Sequence, residues 1–307
     1  MRPRAARGPA ATKAGARLGT AHVHWPKLAP LRPCAGALLS IASALLAATL
    51  LVGCQWPATG PTLGEAPAPG TPRRSGFDDM SPATQAMQRD DTANPAWLWV
   101  EDGRQRFAAT CARCHTVAAM AGVAARYPAW DATAGRPLTL GQRIADCHAR
   151  HVAPSQGTSG APGAPGAARW APEDEARLAL EAFVALQSRG RPITPPADER
   201  LAPWRARGAA LFRQRLGQLD LSCAHCHERY AGRRLAGSVI PQGHPTGYPI
   251  YRLEWQGMGS LQRRLRGCLN GVRAEPFGPD DADATAMEVY LMSRSAGLPM
   301  ETPAVRP

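Results

Sequence analysis

Apolar residues fall at helical spacing in a handful of short windows, separated by irregular sequence rich in proline and glycine. The longest window, residues 35–52, is apolar all round and follows a basic region, so it reads as a secretory leader. The first amphipathic window opens at Asn94-Pro95 and runs through Phe107, with Trp97, Val100 and Phe107 on one face. Residues 139–151 form a second. A third begins at Pro172-Glu173-Asp174-Glu175, where acid in the first turn suits the helix dipole. It carries Leu178, Phe183, Val184 and Leu186 inward and stops at Gly190. Residues 204–216, a segment capped by Ser260, and residues 280–295, with Met287, Tyr290 and Leu291 on one side, complete the set. The expected fold is mainly α.

The order of these windows repeats. Each half reads as a helix, a Cys-x-x-Cys-His motif, irregular sequence, a late cysteine and a closing helix. The motifs are Cys111-Ala112-Arg113-Cys114-His115 and Cys223-Ala224-His225-Cys226-His227. Such an internal repeat predicts two tandem cytochrome c-like domains, 94–191 and 204–307, joined by a proline-rich linker at 192–203. Residues 1–53 are assigned to the leader and 54–93 to a flexible tether. A surface loop is expected at 153–168, where Gly, Pro, Ala and Ser dominate.

Composition sharpens this picture. With 30 Pro, 30 Gly and 6% aromatic residues, the chain suits short helices whose core is completed by a porphyrin. Eight cysteines are too few for a disulfide scaffold. The formal charge of +12 is inflated by seven basic residues in 1–53, and about +5 remains without them. A nucleic-acid partner is therefore not expected. The sequence Leu51-Val52-Gly53-Cys54 resembles a lipobox, which would make Cys54 a lipid-anchored N-terminus. Either kind of leader places the mature chain in the periplasm, where haem c is attached and thiols can oxidise. Cys34 falls in the leader.

Two copies of Cys-x-x-Cys-His, each ending in histidine, argue against a chance match or a zinc knuckle and for two haem c groups. Cys111, Cys114, Cys223 and Cys226 would add to the vinyl groups, and His115 and His227 would bind iron from one side. The opposite side is open on the residues alone. Candidates are Cys147, His148, His151 and Met120 in the first half, and Cys268, Met258, His244 and Met292 in the second. A disulfide between Cys147 and Cys268 is a further alternative. Around Cys268 the pattern is informative. With Ser260 as cap, Arg264 and Cys268 lie one turn apart on one face, Leu261 and Leu265 form an inward stripe, and Gly267 thins the helix. Arg264 would favour the thiolate and offer a planar fork to an anion. Arg263 and Arg266 read as a solvated basic face.

The run Gly247-Tyr248-Pro249-Ile250-Tyr251-Arg252-Leu253-Glu254-Trp255-Gln256-Gly257-Met258-Gly259-Ser260, continuing through Arg264 to Cys268 and then Val272–Phe277, resembles the SoxA family. These are dihaem cytochrome subunits of the SoxAX complex of bacterial thiosulfate oxidation. The likeness spans roughly residues 94–305. It implies that Cys147 and Cys268 are the distal iron ligands, that Cys268 is catalytic as a persulfide, and that Arg264 contacts substrate. It also implies L-cysteine S-thiosulfotransferase activity, a SoxX-like monohaem partner and a SoxYZ carrier that receives thiosulfate. Rival readings are a dihaem thiosulfate dehydrogenase, a dihaem peroxidase and a plain electron-transfer cytochrome.

Overall fold

The architecture was described from a computed structural model covering residues 72–151 and 169–307, which lie in one compact unit. The leader, Cys34, Cys54, most of the tether and the loop at 153–168 lie outside them.

Each half is built on a crossed pair of helices. In the first, α2 (Trp97–Arg106) crosses α4 (Glu175–Leu186); in the second, α5 (Ala202–Arg213) crosses α7 (Ala282–Arg294). Glycine makes both crossings close. A Cβ on Gly103 would stand 2.0 Å from the Ala179 carbonyl oxygen, and one on Gly208 would stand 2.1 Å from that of Ala286. Asp174 and Asp281 cap the closing helices, their carboxylates accepting from backbone amides of the first turn. Between each crossed pair runs an antiparallel hairpin followed by a cysteine-bearing helix. The first is β1 (Ala129–Asp131) and β2 (Arg136–Leu138), leading into α3 (Leu140–His151). The second is β5 (Ile250–Arg252) and β6 (Gly257–Gly259), leading into α6 (Leu261–Gly271). A smaller hairpin joins β3 (Arg234–Leu235) to β4 (Ser238–Val239), and β7 (Ala304–Arg306) adds in parallel to β5. The fold is mainly α, as expected.

Three boundaries differ from the sequence reading. Residues 72–93, assigned to the tether, are folded onto the body. Ser81 and Pro82 start α1 (Pro82–Arg89), Arg74 pairs with Asp79 at 2.7 Å, and Ser75 Oγ donates to Glu301 at 2.7 Å. The Glu301 anchor lies 226 positions along the chain from Ser75, so no local pattern reports it. The segment 192–203 is not a free linker. Ile193 is 1% exposed, and its amide donates to the Leu298 carbonyl at 2.9 Å. Nor are the halves separate, because Met258, Met292 and Met300 enter the same core as Val100, Phe107 and Phe183.

Candidate functional site

The second Cys-x-x-Cys-His sits where α5 has ended and the chain winds as a π turn, His225–Arg229, closed by the Tyr230 amide on the His225 carbonyl at 3.0 Å. The first begins at Cys111, the last residue of the π turn Phe107–Cys111. Wide turns of this kind recur at functional positions. His227 Nδ1 lies 2.8 Å from the Pro241 carbonyl oxygen. A carbonyl can only accept, so Nδ1 carries the proton and Nε2 keeps its lone pair, the form a metal-ligating imidazole needs. Gly243, at φ +73°, lies against the same ring, where a Cβ would come within 3.1 Å of Cγ. Burial, and the nearby Arg264 and Arg294 charges, push the His227 imidazole below its ordinary range despite that hydrogen bond. The donor set and its fixed tautomer fit haem c.

α6 brings Cys268 to this motif. Ser260 Oγ accepts from the Arg263 amide at 3.1 Å, which fixes the helix start and the phase of the positions that follow. Leu265 and Leu269 are buried, and half-buried Cys268 lies within electrostatic reach of both Cys223 and Cys226. Burial and this neighbour push the Cys223 thiol up to about 11. The arginine run divides. Arg263 and Arg266 approach Glu173 at 4.0 and 3.8 Å, and Arg263 also covers the Trp255 ring at 4.2 Å. Arg264 turns the other way. Among the described residues no carboxylate lies within ion-pairing distance of it, and burial of its charge is offset by Cys268, Tyr248 and Glu254.

The other candidates are placed elsewhere. Met258 and Met292 are buried in the shared core, and His244 stands beside His227 with Nδ1 on the Arg74 carbonyl at 2.7 Å. In the first half Cys147 is the residue beside Cys111 and Cys114, with burial pushing its thiol up. His148 stacks on Trp170 at 3.5 Å, His151 is exposed, and Met120 packs on the core. Cys147 and Cys268 are both free thiols, so the disulfide alternative falls. His115 is exposed, unlike His227.

A family model for the cytochrome c domain of SoxA/TsdA matches residues 96–193 and 207–300. The chain belongs to this SoxA/TsdA cytochrome c family. Its cofactor is therefore haem c. Among similar SoxA proteins, the L-cysteine S-thiosulfotransferase subunit SoxA of Pseudaminobacter salicylatoxidans is 34% identical, over 76% of this chain and 80% of that one. The protein of that name from Paracoccus pantotrophus is 32% identical, over 76% and 78%. The crystal structure of SoxXA from P. pantotrophus superposes with a TM-score of 0.69 at 31% identity, covering 76% of this chain and 87% of that chain.

Two features of this SoxA-type chain escaped the sequence reading. Glu181 on α4 and Glu288 on α7 hold equivalent places, seven residues after their caps, and line a cavity of about 50 Å³ with Arg177, Gln262, Tyr127 and Tyr248. Burial pushes Glu181 up to about 7 and Glu288 up to about 8, although Arg177 opposes both shifts. Tyr248 and Arg252 also join the site, both within electrostatic reach of Arg264. Their hairpin strands are three residues long, too short to show a period-two pattern.

Proposed function

We propose that this chain is the SoxA subunit of a periplasmic L-cysteine S-thiosulfotransferase, joining thiosulfate oxidatively to a cysteine of a SoxYZ-type carrier. The observation that carries this reading is Arg264, one helical turn from Cys268 beside the second Cys-x-x-Cys-His motif and free of any carboxylate partner among the described residues. A half-buried guanidinium with no internal acid is a fixed anion donor. The reaction couples a carrier thiol and the thiosulfate dianion to a carrier S-thiosulfonate, releasing one proton and two electrons. Haem c supplies the acceptor for those electrons. Arg264 orients the anion, and Cys268, half-buried one turn along the same helix, presents sulfur to it.

The fuller assignment follows the sequence. Two haem c groups are held through Cys111 and Cys114, and through Cys223 and Cys226. His115 and Cys147 would hold the iron of the first, and His227 and Cys268 that of the second. The P. pantotrophus relative is a SoxXA complex, which supports a SoxX-like monohaem cytochrome as partner here. The N-terminal sequence supports export, with Cys54 as the anchoring position. Among the described residues no helix is long and apolar enough to cross a membrane.

The test is turnover of thiosulfate by the haem-loaded complex with a SoxYZ-type carrier and an electron acceptor, following the carrier by intact mass. Wild type should add one thiosulfonate group, Cys268→Ser should not, and Arg264→Gln should raise KM. Tetrathionate as the product, with an unmodified carrier, would point to a thiosulfate dehydrogenase instead. Equal carrier modification by Cys268→Ser would reduce Cys268 to a ligand.

A further inference from the structure

The internal repeat puts the two late cysteines in matched surroundings that differ at one charge. Each hairpin is entered through a Tyr-Pro step, Tyr127-Pro128 or Tyr248-Pro249. Each cysteine helix starts after a hydroxyl residue, Thr139 or Ser260, with an arginine four positions on and a cysteine eight positions on. Arg143 and Cys147 thus correspond to Arg264 and Cys268. The last residue of the leading strand is Asp131 in the first hairpin and Arg252 in the second.

In the first half that acid closes the site. The Asp131 side chain is 5% exposed and forms an ion pair with Arg143, which also bonds Tyr127. That pairing occupies the arginine equivalent to Arg264, and the other cation within electrostatic reach of Cys147 is Arg150, which is exposed. In the second half the acid is replaced by a second cation. Arg252 has a 12% exposed side chain, and its Nε lies 2.9 Å from Glu254 but makes no aligned hydrogen bond. Arg252, Arg264 and Cys268 are all within electrostatic reach of Tyr248. Glu254, whose carboxylate is half-exposed, pairs with Arg252 and reaches Arg264 only through its charge. Placing two like charges together inside a fold is costly without an anion between them. Burial, and then the Arg264 charge, hold Arg252 below its ordinary range.

We propose that Arg252 is the second arm of the anion site, acting with Arg264 to select a doubly charged, oxygen-rich anion at Cys268, while Asp131 closes the equivalent site at Cys147. The inference rests on the thiosulfotransferase reading for the identity of the substrate, but not for the existence of the site. Two fixed guanidiniums match a dianion and are only half used by a monoanion.

The experiment uses the haem-loaded complex with three variants, Arg252→Gln, Arg252→Asp and Arg252→Lys, each checked for native haem absorbance. Carrier modification is measured against thiosulfate concentration, and binding of sulfate and of nitrate is measured separately by calorimetry. Loss of one charge-assisted contact predicts about a tenfold or larger rise in KM for Arg252→Gln, with kcat changing far less. Arg252→Asp should be worse, because its carboxylate recreates the first-half pair by capturing Arg264, and Arg252→Lys should recover part of the loss. Wild type should prefer sulfate to nitrate, and Arg252→Gln should lose that preference. Unchanged KM and unchanged anion preference in Arg252→Gln would overturn the proposal. If wild type binds sulfate through Arg252 but never modifies the carrier, the site stands and the thiosulfotransferase reading falls.

Discussion

The α5–α7 crossing gives a direct test of how this fold is held, through Gly208→Ala. A Cβ at 208 would lie 2.1 Å from the Ala286 oxygen, 2.8 Å from its carbonyl carbon and 2.6 Å from Tyr290 Cβ. Carbon contacts reach their optimum only near 3.5 to 4.0 Å, so the helices must part by roughly 1 Å or more. Two of the three obstacles are helix backbone, which cannot swing aside as a side chain can. The separation loosens Leu211 and Phe212 from Met287, Tyr290 and Leu291, which with Leu265 make up the second core. Overpacking costs about 1–3 kcal/mol, and a rigid obstacle puts this site at the upper end, about 3 kcal/mol. Alanine returns about 1 kcal/mol of helix propensity. The net expectation is a loss of about 2 kcal/mol, or a Tm lower by about 4–8 °C for a body of this size. Gly267→Ala is the control. Gly267 lies inside α6, exposed, and a Cβ there meets nothing within 4 Å, so propensity alone acts and stability should hold or rise. Thermal unfolding of the holoprotein by far-ultraviolet circular dichroism reads both. A Gly208→Ala protein melting at or above wild type would refute the reasoning, as would an equal loss in Gly267→Ala.

Stability should fall as pH rises from about 5 to about 8. Glu181 and Glu288 keep their protons in the folded chain after the unfolded chain has released them at its ordinary 4.5, and each retained proton costs about 1.4 kcal/mol per pH unit. Denaturant unfolding across that window should show the slope, and Glu288→Gln should flatten it. If His227 holds a haem as proposed, Gly243→Ala should shift the absorbance and reduction potential of that haem. The new Cβ presses on the imidazole ring, and φ +73° strains any L side chain. Unchanged spectroelectrochemistry would show the ring is not held from that side. Asp280→Asn should cost about 3 kcal/mol in unfolding free energy, because Asp280 accepts from Arg169 at 2.6 Å and from Arg177, whose side chain is 3% exposed. Asparagine tolerates the φ of +54° at that position, so the loss would report the charge. A loss below about 0.5 kcal/mol would show that Arg177 is satisfied without it.

What could be read in advance was local. Cys-x-x-Cys-His is a contiguous signature, and the Ser260 cap fixes the phase of α6, so the meeting of Arg264 with Cys268 followed from an interval of four. The acid-led start of α4 was likewise legible, although the helix begins three residues later than expected, at Glu175 behind an Asp174 cap. What escaped depended on distance. Residues 72–93 look like tether because their anchors are Thr246, Glu301 and Val305, far along the chain. The segment 192–203 looks like linker because its proline content hides one buried isoleucine and its strand-like pairing with 297–300. Glu181 and Glu288 look like ordinary helix-surface acids until two helices more than 100 residues apart close over them.

One signal was in the sequence in a form that a single pass could not use. The sequence reading took the repeat as evidence for two similar haem units, yet the two halves are most informative where they disagree. Arg143 and Arg264 occupy the same place, and taken singly each is an arginine one turn before a cysteine. They differ in the charge that ends the leading strand of the preceding hairpin, Asp131 in one half and Arg252 in the other. The same helix thus carries a neutralised arginine in the first half and an available one in the second. A duplicated scaffold can confine chemistry to one copy in this way without altering the motif that holds the cofactor.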